Sequence, residues 1–408
     1  MRLNWKKDWT LLVVLFLVLR LVYAALGAVA AAGAQPQPLA SGPIYAAAGS
    51  LLRGDAFSEA FVNIWLRWDS GWYLKIAAFG YDAADGSIAF QPLYPALARL
   101  LDALIGNELL SALLIASLAC LAVLLLFYEV ALGEGLSREA ALQAVFFLAF
   151  FPSAFFLCAA YTDSLFLALA LGAWLLARRR SWLAAGLLGG LATLTRLQGA
   201  LLTPVLLWAF LADCANASAS KPLEGARQVA GLLVSRDGWR RLSAWLKRPA
   251  WIGVLFPALA FAAYSLWLRW SGLGGIPTGL EQHWGIRTVM PWEGFRLFLE
   301  RLFTTQRVFI DWIDLAMLIL VLGLLVVGLF CLDPALSLYN WLSLALFFMR
   351  GTPPHLLDSF NRYFLSLFPA FFMLGQMRSR ALRLALWVLS FGLQVFLLLG
   401  FLDWRWVA

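Results

Sequence analysis

Residues 9–32 read WTLLVVLFLVLRLVYAALGAVAAA and follow the basic residues Arg2, Lys6 and Lys7. A cleaved signal sequence has an apolar core of about 7–15 residues, so this longer run predicts a retained first membrane helix. Roughly 20 helical residues cross the hydrocarbon core of a bilayer, which is about 30 Å thick. Similar apolar stretches recur along the chain. We therefore predict an all-α polytopic integral membrane protein that forms a single transmembrane domain over residues 1–408.

The composition supports this class. Hydrophobic residues make up 62% of the 408 residues and charged residues 13%, and the mean hydropathy is +0.80. The net charge of +8 lies in a few short loops, as the positive-inside rule expects, which argues against a nucleic-acid partner. The four cysteines are scattered in or beside apolar segments, so they are predicted to be small buried hydrophobes.

The basic loops predict the topology. Arg178–Arg180, the loop 213–249 and Arg378–Arg383 are all expected on the cytoplasmic side with the N-terminus. The spans can place all of these loops on the cytoplasmic side if residues 181–212 form a hairpin of two helices. The turn of this hairpin then carries Arg196 to the external surface of the membrane. About eleven spans are then expected, over 9–32, 109–131, 139–157, 161–177, 182–195, 199–212, 250–270, 308–331, 335–349, 361–377 and 383–402.

Most of the unexplained polar residues then fall on the external side of the membrane. The first external loop, 33–108, is too long for a simple connector, and amphipathic interfacial helices are predicted in it near 44–53, 57–68 and 90–105. A second external loop covers 271–306. This one-sided distribution predicts an active site that faces away from the cytoplasm. The Ala- and Leu-rich composition is typical of a prokaryotic protein, so we expect a prokaryotic plasma membrane; a eukaryotic protein of this kind would lie in the endoplasmic reticulum membrane.

The first external loop contains RWDSGWYLKIAAFGYDAADGSIAFQPLYP, residues 67–95. An ionisable group at the edge of the hydrocarbon is costly and is usually functional. We predict Asp69 to be the catalytic carboxylate, with Trp68, Trp72 and Tyr73 contacting substrate. The alternative is an aromatic belt in which Asp69 caps an interfacial helix.

Other polar residues are candidates for the same site. Arg196 and Arg362 are predicted to bind a phosphate, since guanidinium groups suit phosphate oxygens, although both could instead reach lipid headgroups. Lys75 could also meet a phosphate or simply extend to the interface. The further candidates for substrate contacts are Gln91, Tyr94, Asp163, His355, Asn361 and Tyr363. Asp163 could instead be a helix N-cap. The two histidines, His283 and His355, lack ligand spacing, so neither a metal site nor another cofactor is predicted.

Several of these motifs together resemble the PIG-V-like mannosyltransferases of the GT-C superfamily. The matching segments are Arg67–Ala77 with Phe79-Gly80-Tyr81, Ala89–Pro95, Phe151-Pro152-Ser153, Tyr161–Phe166, Gly190–Arg196 and Arg362–Pro369. They lie in order over most of the chain. Asp163 stands where many relatives are expected to have glutamate.

The resemblance implies transfer of mannose from a polyprenyl-phosphate donor to a glycolipid or glycan at the extracytoplasmic face, with Asp69 as general base and inversion of the sugar. A transporter or flippase of lipid-linked sugars is the first alternative, although the chain has no internal repeat of the kind such proteins often show. A GT-C transferase of another sugar and a non-catalytic membrane scaffold are the others.

Overall fold

Helices form the whole frame of the molecule. The structure, a computed structural model, describes residues 5–33, 47–217, 222–304, 308–351, 357 and 359–407. In this part of the chain the α-helices are α1 Trp5–Gly33, α2 Asp69–Phe79, α3 Leu93–Ile105, α4 Glu108–Gly133, α5 Arg138–Ala149, α6 Asp163–Arg178, α7 Trp182–Thr195, α8 Leu202–Ala215, α9 Pro222–Val234, α10 Arg236–Leu246, α11 Phe256–Trp270, α12 Ile276–Trp284, α13 Pro291–Thr304, α14 Phe309–Cys331, α15 Pro334–Phe347, α16 Phe360–Phe364, α17 Phe368–Gly375 and α18 Arg380–Leu402.

Among the described residues, six helical segments are long and apolar enough to cross a membrane. They are Lys7–Ala32, Glu108–Gly133, Leu197–Ala215, Pro249–Trp270, Phe309–Cys331 and Arg380–Leu402. Each coincides with a predicted span to within a few residues. The protein is therefore an all-α polytopic integral membrane protein, as the sequence predicts.

The other five predicted spans are helical but shorter or interrupted. The stretch 139–157, for example, is α5 followed by a separate 3₁₀ turn, Ala154–Leu157. The stretch 361–377 is divided between α16 and α17, because Pro369 favours the start of a new helix. The total of eleven spans stays a prediction.

The predicted loops also contain helices. Loop 213–249 holds α9 and α10, and loop 271–306 holds α12 and α13. The helix predicted over 90–105 in the first loop is α3, which packs one side against the protein: Tyr94 and Ala98 are buried, whereas Leu100 and Leu104 are 69% and 85% exposed.

The predicted helix over 57–68 needs correction. It is a π-helical turn, Ser58–Val62, followed by a 3₁₀ turn, Asn63–Trp65. The Asp55 carboxylate accepts hydrogen bonds from the Ser58 amide and hydroxyl at 2.9 and 2.7 Å, which fixes the start of this irregular segment. Of the predicted helix over 44–53, residues 44–46 lie outside the described residues and 47–49 form a single helical turn.

A close glycine contact sets the position of α7, whose C-terminal end leads to Arg196. A Cβ atom on Gly186 would overlap the carbonyl oxygen of Gly253. A Cβ atom on Gly253 would in turn overlap the carbonyl oxygen of Trp182. The backbones at Gly186 and Gly253 thus touch at a distance that only glycine permits.

We expect Gly186→Ala to lower the free energy of unfolding by about 1–3 kcal/mol, because the added methyl group forces the two backbones apart. The matched control is Gly392→Ala in α18, where a Cβ would meet no atom within 4 Å. Thermal unfolding of the purified proteins in detergent measures the effect. A stability loss in the control equal to that in Gly186→Ala would contradict the close contact.

Candidate active site

A cavity of about 390 Å³ lies where the polar segments of the sequence converge. Asp69 and Tyr73 from α2, Arg196 and Gln198 from the turn after α7, and Arg362 from α16 contribute polar side chains to its lining. Apolar residues complete the wall, among them Phe261, Ile276, Leu280, Ile286, Leu346 and Met349. The cavity can therefore hold a molecule with one polar and one apolar part.

Four charged side chains form an alternating chain at this cavity. Arg362 Nη1 lies 2.6 Å from Asp69 Oδ2, and its Nη2 lies 3.0 Å from Asp163 Oδ2. The other oxygen of Asp163 pairs with Arg196. Arg362 therefore bridges two carboxylates, and Asp163 bridges two arginines. We call Asp69, Arg362, Asp163 and Arg196 the charge network.

Aromatic rings cover the faces of both arginines. The Arg362 guanidinium carbon lies 4.4 Å from the ring centre of Tyr161 and 5.1 Å from that of Phe156. The Arg196 guanidinium lies 5.2 Å from the ring centre of Tyr363. Such cation–π contacts stabilise a desolvated guanidinium. Because the rings cover its faces, the guanidinium group donates hydrogen bonds from its edges.

The start of α2 is held in place by the C-terminal end of α18. Arg67 Nε and Nη2 donate hydrogen bonds to the carbonyl oxygen of Leu402 at 3.0 and 2.8 Å. Trp68, between Arg67 and Asp69, has φ = +49°, which is an unfavourable conformation for a bulky residue. Strained backbone of this kind concentrates at functional sites, and here it turns the chain so that Asp69 begins the helix.

Asp163 begins α6 beside this motif, where the positive end of the helix dipole favours a carboxylate. The Thr162 hydroxyl makes no capping bond and lies 3.2 Å from the Tyr73 hydroxyl. Burial, and secondarily the Asp69 charge, raises the pKa of the Tyr73 phenol. Tyr73 therefore stays neutral near pH 7 and can donate a hydrogen bond within the cavity.

Asn361 positions the arginine that follows it. Its backbone N–H donates a hydrogen bond to Asp314 Oδ1 at 2.8 Å, and its side-chain Nδ2 donates one to the Val407 carbonyl oxygen at 3.0 Å. These bonds tie the short helix α16 to α14 and to the C-terminal segment. In this structure Asn361 supports the site rather than lining the cavity.

The structure brings together about half of the predicted site residues. Asp69, Tyr73, Gln91, Arg196, Arg362 and Tyr363 line the cavity, and Asp163 contacts two of them. Arg196 was expected to reach the membrane surface, but its side chain is only 11% exposed because Asp163 pairs with it inside the protein.

The other predicted residues that the structure describes do not line the cavity. Trp68 packs against Trp404 and Trp406, and Trp72 stacks on Phe90. Tyr94 is fully buried and donates a hydrogen bond to the Ala112 carbonyl oxygen at 2.8 Å. His355 lies outside the described residues.

Lys75 is engaged within its own loop. Its Nζ lies 2.7 Å from Asp85 Oδ2 and donates to the Gly80 carbonyl oxygen at 3.1 Å. Burial raises the pKa of Asp85, but hydrogen bonds from Lys75 and Ser87 outweigh it and the net shift is downward. This carboxylate is therefore ionised near pH 7 and holds the Lys75 ammonium away from the cavity.

Several further lining residues escaped the sequence analysis, among them Gln198, Ser343 and Arg350. Gln198 Nε2 donates to the Ser343 hydroxyl at 2.8 Å. Gln198 follows the helix break at Arg196, and this break is the sequence feature from which Gln198 could have been predicted. Arg350 follows an apolar run directly and resembles an ordinary basic flank, and Ser343 lies within an apolar helix without any signal.

The lining carries more positive than negative charge. Among the described residues, Arg196, Arg350 and Arg362 face it with the carboxylate of Asp69, and the buried Asp163 carboxylate behind them offsets a second positive charge. An anion is the ligand that such a lining favours. Within the same residues, no three His, Cys, Asp or Glu side chains come together as a metal site would require.

A family model described as Mannosyltransferase (PIG-V) matches residues 6–225 of the chain, which is more than half of it. The chain belongs to this mannosyltransferase family. It is accordingly a glycosyltransferase. The matched range contains Asp69, Asp163 and Arg196, whereas Arg350 and Arg362 reach the cavity of this mannosyltransferase-family protein from beyond it. No curated protein sequence matches the chain.

Two solved structures are distantly similar to this mannosyltransferase-family protein. ArnT from Cupriavidus metallidurans, described as bound to undecaprenyl phosphate, has 17% identity and a TM-score of 0.43, with 83% of this chain and 69% of that chain covered. The Archaeoglobus fulgidus oligosaccharyltransferase, described as tethered to an acceptor peptide, has 14% identity and a TM-score of 0.45, with 96% of this chain and 55% of that chain covered. Likenesses at this level are too distant for a functional comparison.

The charge network predicts different stability costs for its two carboxylates in this mannosyltransferase-family protein. Asp163→Asn removes the charge that faces two buried arginines, so we expect a loss of about 3–5 kcal/mol. Asp69→Asn leaves Arg362 with Asp163, and Asp69 is itself 28% exposed, so its loss should be clearly smaller. Thermal unfolding of both variants measures the order, and a larger loss for Asp69→Asn would contradict the described pairing.

Proposed function

We propose that this protein transfers a mannosyl residue from a polyprenyl-phosphate mannose donor to a hydroxyl group of a glycolipid or glycan. Its partners would thus be a lipid-linked sugar, a glycan acceptor and the surrounding membrane lipid. The observation that carries the proposal is a carboxylate, Asp69, that shares one cavity with Arg196, Arg350 and Arg362. The family to which the chain belongs supports mannose as the sugar.

The cavity lining suits an amphiphilic anion. The arginine edges can donate charge-assisted hydrogen bonds to the phosphate oxygens of the donor. The apolar wall, which includes Phe261, Leu280 and Met349, favours the first isoprene units of the lipid. A donor whose phosphate is already attached to a lipid also needs no nucleotide-binding domain.

In the proposed reaction the acceptor hydroxyl oxygen attacks the anomeric carbon of the donor sugar. Asp69 takes the hydroxyl proton as general base while the new C–O bond forms. The bond between the anomeric carbon and the phosphate oxygen breaks, and its electron pair stays on the polyprenyl phosphate that leaves. The arginines stabilise the negative charge that develops on this phosphate. A single displacement of this kind inverts the anomeric centre.

We place the reaction at the extracytoplasmic face. Helix α6 is 16 residues long, begins at Asp163 in the charge network and ends at Arg178. A helix of this length spans about 24 Å, so the basic cluster Arg178–Arg180 lies at the opposite end of the helix from the cavity. Since such clusters stay in the cytoplasm, the cavity opens on the other side of the membrane.

We expect Asp69→Asn to lower the rate of mannosyl transfer by about 10²–10⁴-fold, because the amide cannot accept the proton of the acceptor. The assay uses purified protein, labelled polyprenyl-phosphate mannose and extracted membrane glycolipids as acceptors. The matched control is Asp82→Asn, an exposed carboxylate in the same loop. Near wild-type transfer by Asp69→Asn would exclude Asp69 as the base, and no transfer by the wild type would exclude this donor.

A further inference from the structure

The described residues leave one edge of Arg362 through which a ligand in the cavity can reach it. Its Nε and Nη2 are directed at Asp163 Oδ2, both at 3.0 Å. The rings of Tyr161 and Phe156 cover its face. The remaining edge, at Nη1, is occupied by Asp69 Oδ2 at 2.6 Å.

The two carboxylates that hold Arg362 differ in how firmly they are bound. Asp163 is 4% exposed and has a second cation, Arg196, as partner. Asp69 is 28% exposed, lines the cavity and, within the described part of the chain, forms an ion pair with Arg362 alone. An ion pair in contact with solvent is worth little, whereas a buried carboxylate that pairs with two arginines is costly to remove. Asp69 is therefore the partner that an incoming anion can replace.

We propose that the donor phosphate and the Asp69 carboxylate compete for the Nη1 edge of Arg362, so that donor binding itself releases Asp69 to act as a base. This inference rests on the proposed function and specifies the order of events within it. In the ion pair that the structure shows, Asp69 neutralises Arg362. When the donor phosphate pairs with Nη1 of Arg362 instead, Asp69 loses its hydrogen-bond donor and turns to the acceptor hydroxyl.

The exchange gives Asp69 two functions in sequence, first as an occupant of the phosphate site and then as a proton acceptor. It also links the two substrates. A site without donor holds its base in an ion pair, so the acceptor hydroxyl meets an activated carboxylate only when the donor phosphate is present. The exchange prevents Asp69 from activating the acceptor before the donor is bound. It does not prevent hydrolysis of the donor by water.

The test is the affinity for polyprenyl phosphate, which lacks the sugar and cannot turn over. Competition requires that Asp69→Asn binds this lipid more tightly than the wild type, by roughly fivefold or more, although the same variant has lost transfer. A carboxylate with only a catalytic or a structural function would leave the affinity unchanged or weaken it. Asp69→Ser is measured beside it, because the shorter neutral side chain also vacates Nη1. Asp82→Asn should bind as the wild type does.

A second pair of variants separates exchange at Arg362 from general repulsion between two anions. In an Arg362→Met background, adding Asp69→Asn should no longer increase the affinity, since the contested edge has gone. If Asp69→Asn still increased the affinity for polyprenyl phosphate by the same factor in the Arg362→Met background, exchange at Arg362 would be excluded. Equal or weaker binding by both Asp69 variants would also overturn it, while transfer by the wild type would leave the proposed function intact. Absence of polyprenyl phosphate binding by the wild type would overturn both.

Discussion

The buried guanidinium of Arg362 is the constraint on which the candidate site depends. A cation removed from water must find counter-charges, and a partly compensated one costs several kcal/mol. Asp163 supplies the permanent partner and Asp69 the accessible one. Because Asp163 also pairs with Arg196, the four side chains cannot be placed independently. Each fixes its neighbour, and together they fix the ends of the helices that carry them.

This requirement explains why the helices around the cavity are short. Helix α6 begins at Asp163, α7 ends one residue before Arg196, and Arg362 lies on a helix of only five residues. A helix that continued through the bilayer would carry its polar side chain past the site, whereas a helix that ends there delivers the side chain to the cavity. The long helices, such as α4 and α14, instead supply an apolar frame, and the Asp314 carboxylate of α14 holds the backbone of α16.

Much of this arrangement could be predicted from the sequence, because hydrocarbon imposes strong rules on residues such as Asp69 and Arg196. The apolar runs predicted the long spans, and a central arginine predicted the break after Thr195. The pairing partners could not be predicted, because Asp163 and Arg362 are 199 residues apart and nothing local signals their contact. Lys75 shows the same limit: the sequence offered a free cation, whereas the fold places Asp85 against it. The sequence analysis assigned no helices to loops 213–249 and 271–306, whereas the structure has two in each.

In the proposed reaction Asp69 acts as a base in a single displacement rather than as a nucleophile that would carry the sugar. The most direct measurement is the anomeric configuration of the transferred mannose, determined by NMR on the purified product and compared with that of the donor. The account predicts inversion, because the acceptor oxygen attacks from the side opposite the leaving phosphate. Retention would contradict it and would require either a covalent intermediate, with Asp69 as the first candidate for its nucleophile, or a different reaction path.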